Sequence, residues 1–144
     1  MNRYRSLFLI DDDEDDQLLF RDALKQIDKG ITFFKADNGI EALKLLEPPQ
    51  VFPDIIFLDL NMPVMNGFEF LAEVKKFEHL QHVPIVIFTT SSNPDHVLQT
   101  HSLGARAFIT KPASFPALRN KLNAVLNMDF ASWDEKFLSS DYLL

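Results

Sequence analysis

The chain has 144 residues, about one domain at a typical ~150 residues each, which is enough to bury a core without cross-links. It contains no cysteine, which excludes disulfides, a thiolate nucleophile, Cys-ligated zinc and iron–sulfur clusters. The net charge of −7 is local: six of the 21 acids stand together over Asp11–Asp16, and setting them aside leaves 15 acids against 14 bases. One acidic focus on a neutral body points to a cation site or a capped helix, and no basic stripe for direct nucleic-acid binding is visible.

Taken in chain order, short apolar-rich runs at Ser6–Ile10, Ile31–Ala36, Asp54–Leu58, Pro84–Thr89 and Ala107–Ile109 have the length of buried strands. Helical spacing lies between and after them: Leu18, Leu19, Ala23 and Ile27; Ile40, Leu43 and Leu46; Phe70, Leu71, Val74 and Phe77; Val97, Leu98 and Leu103; and Leu118, Leu122, Val125 and Leu126. Strand and helix alternating five times predict an α/β fold, a parallel sheet covered on both faces. The breaker pairs Asn38-Gly39, Pro48-Pro49, Asn66-Gly67, Asn93-Pro94 and Lys111-Pro112 fall between periodic segments. Residues 1–127 are therefore read as one domain and 128–144 as an extension. A capping-box pattern at Ser132 and Glu135, with Phe130, Trp133 and Phe137 on one stripe, predicts a short helix there that packs on its own domain or forms a homodimer contact. No apolar run approaches a membrane span and no cleavable signal follows Arg3 and Arg5, so a soluble, cytoplasmic protein is expected.

Ligands of an open parallel sheet bind beyond the carboxyl ends of its strands. The residues there are Asp11 and Asp12 after the first strand, Asp59 after the third, Thr89 and Thr90 at the fourth, and Lys111 after the fifth. Taken singly, each has an ordinary structural role, as a helix cap, a satisfied strand-end hydroxyl or a solvated lysine. Asp13 to Asp16 are read as cap and first-turn acids complementing a helix dipole. The joint placement of three carboxylates is different, because a pair ~4 Å apart repels by roughly 4 kcal/mol at an effective dielectric of ~20. A hard divalent cation resolves the repulsion, and an all-oxygen site suits Mg²⁺ better than zinc. His79, His82, His96 and His101 show no ligand pairing and are read as surface residues.

Four segments carry a resemblance: Leu9-Ile10-Asp11-Asp12, the block Pro53–Gly67 with Asp59, Asn61 and Met62-Pro63, the strand Pro84–Thr89, and Phe108-Ile109-Thr110-Lys111-Pro112. Together, over roughly residues 5 to 127, they resemble the receiver domain of two-component response regulators. The resemblance implies a doubly wound, flavodoxin-like fold of strand order 2-1-3-4-5. It implies that Asp59 is the phosphoacceptor, that Asp11, Asp12 and Asp59 hold Mg²⁺ with the Asn61 main-chain carbonyl, and that Thr89 and Lys111 hold the phosphoryl oxygens. It also implies that Phe108 is a switch aromatic, that the Lys111-Pro112 bond is cis, and that the donor is a histidine kinase or phosphotransfer protein. No effector segment follows, so a downstream protein partner is expected on the fourth helix, fifth strand and fifth helix, with Val97, Gln99, Arg106, Phe108 and Phe115.

Two alternatives share the architecture. A Mg²⁺-dependent phosphohydrolase of the haloacid dehalogenase type would carry an acid two residues after its nucleophile, where Asn61 stands and cannot shuttle a proton. A flavin module would need a Gly/Ser/Thr-rich phosphate loop after the first strand, where acids stand instead. A signalling protein, not an enzyme, is the reading carried forward. The position after the active-site hydroxyl, often Ala or Gly in the family, is Thr90; with Asn61 and Ser91 no strong bases, the resemblance implies a slowly hydrolysed aspartyl phosphate.

Overall fold

The computed structural model describes residues 4–130 and 142–144. Five strands, β1 (Ser6–Ile10), β2 (Thr32–Ala36), β3 (Ile55–Leu58), β4 (Ile85–Thr89) and β5 (Ala107–Thr110), form one sheet in the order β2-β1-β3-β4-β5. All neighbours are parallel, with Ile10 opposite Ala36 and Leu58, Leu58 opposite Ile87, and Thr89 opposite Thr110. These pairings align the carboxyl ends of the strands on one edge. β3 and β4 are buried along their whole length, as their unbroken apolar sequences require of strands covered on both faces.

Alternation along the strands splits the core in two. Leu7, Leu9, Ile55, Phe57, Val86, Phe88 and Ile109 pack on α1 (Glu14–Ile27) and α5 (Phe115–Leu126). Phe8, Ile10, Ile56, Leu58, Ile87 and Phe108 face α2 (Gly39–Leu46), α3 (Gly67–Val74) and α4 (Pro94–Ser102). Three of the breaker pairs mark helix starts. Asn38, Asn66 and Asn93 are the caps of α2, α3 and α4, and each side chain accepts a first-turn amide proton, Asn66 within a full capping box with Glu69.

Three expectations change. α1 buries Gln17, Phe20, Ala23 and Leu24, while Leu18 and Leu19 are about half exposed. The polar Gln17 sets this rotation, because its amide donates to the Asp11 carbonyl and, at 2.9 Å, to Asp37 Oδ1. α4 turns Leu98 outward and buries Thr100. The Lys111-Pro112 bond is trans; the cis bond among the described residues is Glu47-Pro48. An X–Pro bond prefers trans by only about 0.5–1 kcal/mol, so local packing decides each case.

Just beyond α5, residues 128 to 130 stay on the domain. The Tyr4 hydroxyl donates to the Met128 carbonyl at 2.8 Å and accepts from the Phe130 amide at 3.2 Å, and Phe130 is buried on the α1/α5 side. Trp133, Phe137 and the Ser132–Glu135 pattern lie outside the described residues.

Candidate functional site

Each side chain of the site is placed by strand pairing that runs to the edge of the sheet. The Asp11 amide donates to Ala36, the Asp59 amide to Ile10 and the Lys111 amide to Thr89, at 2.7–3.0 Å, so three strand-end residues are fixed by backbone. Asp11 is fully buried, Asp59 nearly so, and Asp12 exposed, with carboxylate oxygens of all three within 4.8 Å of one another. One edge thus collects the acids that the sequence scatters over 49 positions.

Lys111 organises them. Its Nζ lies 2.7 Å from Asp16 Oδ2, 2.9 Å from Asp11 Oδ2 and 3.4 Å from Asp59 Oδ2, and 5.6 Å from the centre of the Phe88 ring. Burial works against the ammonium, but the hydrogen bond to Asp16, the close ion pair with Asp11 and the charge of Asp59 outweigh it and hold its pKa above the usual lysine value. For Asp11, burial dominates: it pushes the carboxyl up to about 6 against the opposing pull of Lys111 and the Asp13 amide. The Asp13 amide bonds Asp11 Oδ1 at 3.0 Å. Asp11 Oδ2 has the Lys111 charge beside it but no donor aligned for a hydrogen bond.

Asp16 is the residue that sequence reasoning missed. Its amide caps onto Asp13 as expected, yet its carboxylate is the nearest partner of Lys111. Its spacing from the strand end offered the signal, since one helical turn separates the cap from a side chain that reaches back over the sheet edge. Four carboxylates then face a single ammonium, an excess of negative charge that fits a cation.

Thr89 is buried at the end of β4, and its Oγ1 accepts from the Ser91 amide at 3.4 Å. Thr90 is exposed beside it. Asn61 is exposed, with its amide 3.3 Å from Asp59 Oδ1. The β3–α3 loop closes over Asp59 at Gly67, where an added Cβ would lie 2.5 Å from the Asp59 carbonyl oxygen. In the same loop Val64 is in the left-handed region at φ 69°, unusual for a β-branched residue.

The histidines are more engaged than the sequence implies. His96 Nδ1 and Ser91 Oγ are 2.7 Å apart, His79 Nε2 sits 3.0 Å from the Leu46 carbonyl, and His101 packs on Tyr142. Phe108 is fully buried and covered by Tyr142, so it is not part of an exposed partner surface. A cavity of about 360 Å³, lined by Leu71, Val74, Leu80 and Ile85, lies at the amino ends of the strands and shares nothing with the acids.

The response regulator receiver domain profile matches residues 7–123, most of the chain. The chain belongs to the receiver-domain family. This receiver is 34% identical over 105 residues to the sensor histidine kinase CheAY of Helicobacter pylori, covering 73% of this chain and 13% of that protein. It is 32% identical to response regulator Rcp1 of Synechocystis sp., covering 76% of this chain and 78% of Rcp1. Among solved structures, phosphorylated cyanobacterial phytochrome response regulator RcpA superposes with a TM-score of 0.78 at 30% identity, over 85% of this chain and 91% of RcpA. The Mn²⁺-bound form of Rcp1 gives 0.75 at 27%, over 90% and 97%. The strand order that the resemblance implies is the one observed, and the haloacid dehalogenase reading is left without support. No helix among the described residues is long and apolar enough to cross a membrane.

Proposed function

We propose that the chain is a phosphorylation-activated signalling switch of a two-component relay in the cytoplasm, with residues 1–127 as the switch and Asp59 as the phosphoacceptor. The observation that carries this is Lys111, whose ammonium bridges Asp59, Asp11 and Asp16 at the carboxyl edge of the sheet beside the buried Thr89 hydroxyl. A nearly buried carboxylate, a fixed ammonium and a hydroxyl are what phosphoryl transfer asks of a protein, which supplies position and charge more than covalent work.

In this reading an Asp59 carboxylate oxygen attacks the phosphorus of a phosphohistidine on a histidine kinase or phosphotransfer protein. The P–N bond breaks as the O–P bond forms, and the imidazole leaves with the electron pair. The Lys111 ammonium turns from Asp16 and Asp11 to the phosphoryl oxygens, and the Thr89 hydroxyl donates to them. Turnover is limited to self-phosphorylation and autodephosphorylation.

The acidic cluster fits a divalent ion: its donors are all oxygen, three carboxylates converge, and Asp11 Oδ2 is buried without an aligned donor. Asp11, Asp12 and Asp59 would hold Mg²⁺ through carboxylates and Asn61 through its main-chain carbonyl, and Rcp1 carries Mn²⁺ in its solved form. Mg²⁺ supplies neutralisation of the charge gathering on the phosphoryl oxygens. Output passes to a protein partner at α4, β5 and α5, where Val97, Gln99, Arg106 and Phe115 remain at least partly exposed.

The test is Asp59→Asn treated with acetyl phosphate and Mg²⁺. The expected result is complete loss of phosphorylation with an unchanged circular dichroism spectrum. A phosphoryl group mapped by mass spectrometry to any other residue overturns the assignment.

A further inference from the structure

The outer edge of the sheet is covered at Phe108. β5 is a terminal strand, which would present unpaired N–H and C=O groups to any passing strand. Instead Leu143 pairs with Phe108 in parallel, and the Leu144 amide donates to the Phe108 carbonyl at 2.9 Å. Residues 142–144 thus dock on the chain's own edge strand at Phe108.

Tyr142 makes this contact specific. It is fully buried in the same cluster as Phe108, with ring centres 6.3 Å apart, and it meets the His101 ring edge-on at 4.9 Å. Its hydroxyl lies 2.6 Å from Thr100 Oγ1. The Thr100 hydroxyl has one proton, and the His96 and Val97 carbonyls at 2.9 and 3.1 Å can only accept it, so Tyr142 is the donor to Thr100. The sequence gives no periodic signal for this contact, because three residues are too short to show one.

We infer that Tyr142–Leu144 is a self-docked segment that masks the α4–β5 face of the unphosphorylated chain and is released when Asp59 is phosphorylated. The inference rests on the phosphorylation reading above. Thr89 ends β4, which pairs with β5 so that Ile87 stands opposite Phe108. In that reading the Thr89 hydroxyl is drawn to the phosphoryl group, vacating space on the face of β4 that Thr89 shares with Ile87, and Phe108, opposite Ile87, is the ring that would enter it. Tyr142 then loses one wall of its pocket, so docking and phosphorylation disfavour each other. Coupling of this kind is reciprocal: weakening the docked segment must favour the activated state by the same factor.

The experiment uses the full chain with Mg²⁺, with and without beryllofluoride as the phosphoryl mimic, loading being followed by fluorine NMR. Hydrogen exchange is read on peptides spanning 142–144 and β5. Loading is expected to accelerate exchange at 144 at least tenfold. Tyr142→Ala is expected to exchange rapidly without the mimic and to load at several-fold lower beryllofluoride concentration, while Tyr142→Phe, which keeps the ring and loses only the Thr100 bond, falls between it and the parent. Unchanged or slower exchange in the loaded parent overturns the inference and leaves the phosphorylation reading standing, as does unaltered loading in Tyr142→Ala. No loading of the parent at Asp59 overturns both.

Discussion

Asp11 is buried beside two other acids, and its carboxyl is pushed up to about 6. Its folded-state pKa lies above the unfolded value of about 3.9, so the folded chain binds this proton more tightly. Without metal, this group's contribution to stability therefore rises as pH falls through about 6 and is complete below about 4. An entering ion must displace the same proton. Mg²⁺ affinity is expected to be flat above pH 6 and to fall by up to tenfold per pH unit below it, and Asp12→Ala should abolish it throughout. Calorimetric titrations at pH 5, 6 and 7 check both statements, and a pH-independent affinity contradicts them. Thr90 is exposed next to the Thr89 hydroxyl, where a smaller residue would leave the phosphoryl group more open to water. Thr90→Ala is expected to shorten the aspartyl-phosphate lifetime several-fold without altering Mg²⁺ affinity; a phosphate-release time course with equal or slower decay removes this steric argument.

The elements that carry the site are held by their ends. α1 is capped at Asp13 and rotated by Gln17, and that rotation points Asp16 at Lys111 while leaving Leu18 and Leu19 at the surface. α3 begins at Gly67, pressed against the Asp59 carbonyl so closely that even a methyl group collides with backbone. Flexible side chains could yield to such a contact, but a main-chain carbonyl in the site loop cannot without moving Asp59. Gly67→Ala is expected to cost about 1–3 kcal/mol of stability and to slow phosphorylation. Denaturant unfolding with a parallel phosphorylation assay checks it, and a variant of parental stability and rate counts against the close approach.

The two faces of the sheet are closed differently. On the α1/α5 side the core includes Phe130, which packs near Tyr4 with ring centres 6.4 Å apart and donates its amide proton to the Tyr4 hydroxyl. Truncating a buried phenylalanine typically costs 3–5 kcal/mol, so Phe130→Ala should destabilise the whole domain by about 3 kcal/mol. A thermal melt matching the parent would show that the chain after α5 is an appendage. On the other side the closure is by Tyr142, next to Phe108 and so next to the proposed switch.

Much of this molecule follows from local chemistry. Apolar runs too short for helices, breaker pairs between periodic stretches, and acids directly after strands define the α/β class and place Asp11, Asp12, Asp59, Thr89 and Lys111 on one edge, because parallel pairing aligns every strand's carboxyl end. Strand order came only with the family resemblance, since hydrophobic period says which segments are strands and not which ones touch. Three features needed the folded chain. Asp16 became a partner of Lys111 through the rotation of α1, set by a buried glutamine that amphipathic counting treats as surface. His96 met Ser91 across the start of α4, where the Asn93 cap turns the chain back on itself. Phe108 was covered by Tyr142, 34 residues along the chain, a contact whose energy comes from burial and edge pairing in three dimensions and leaves no period in the sequence.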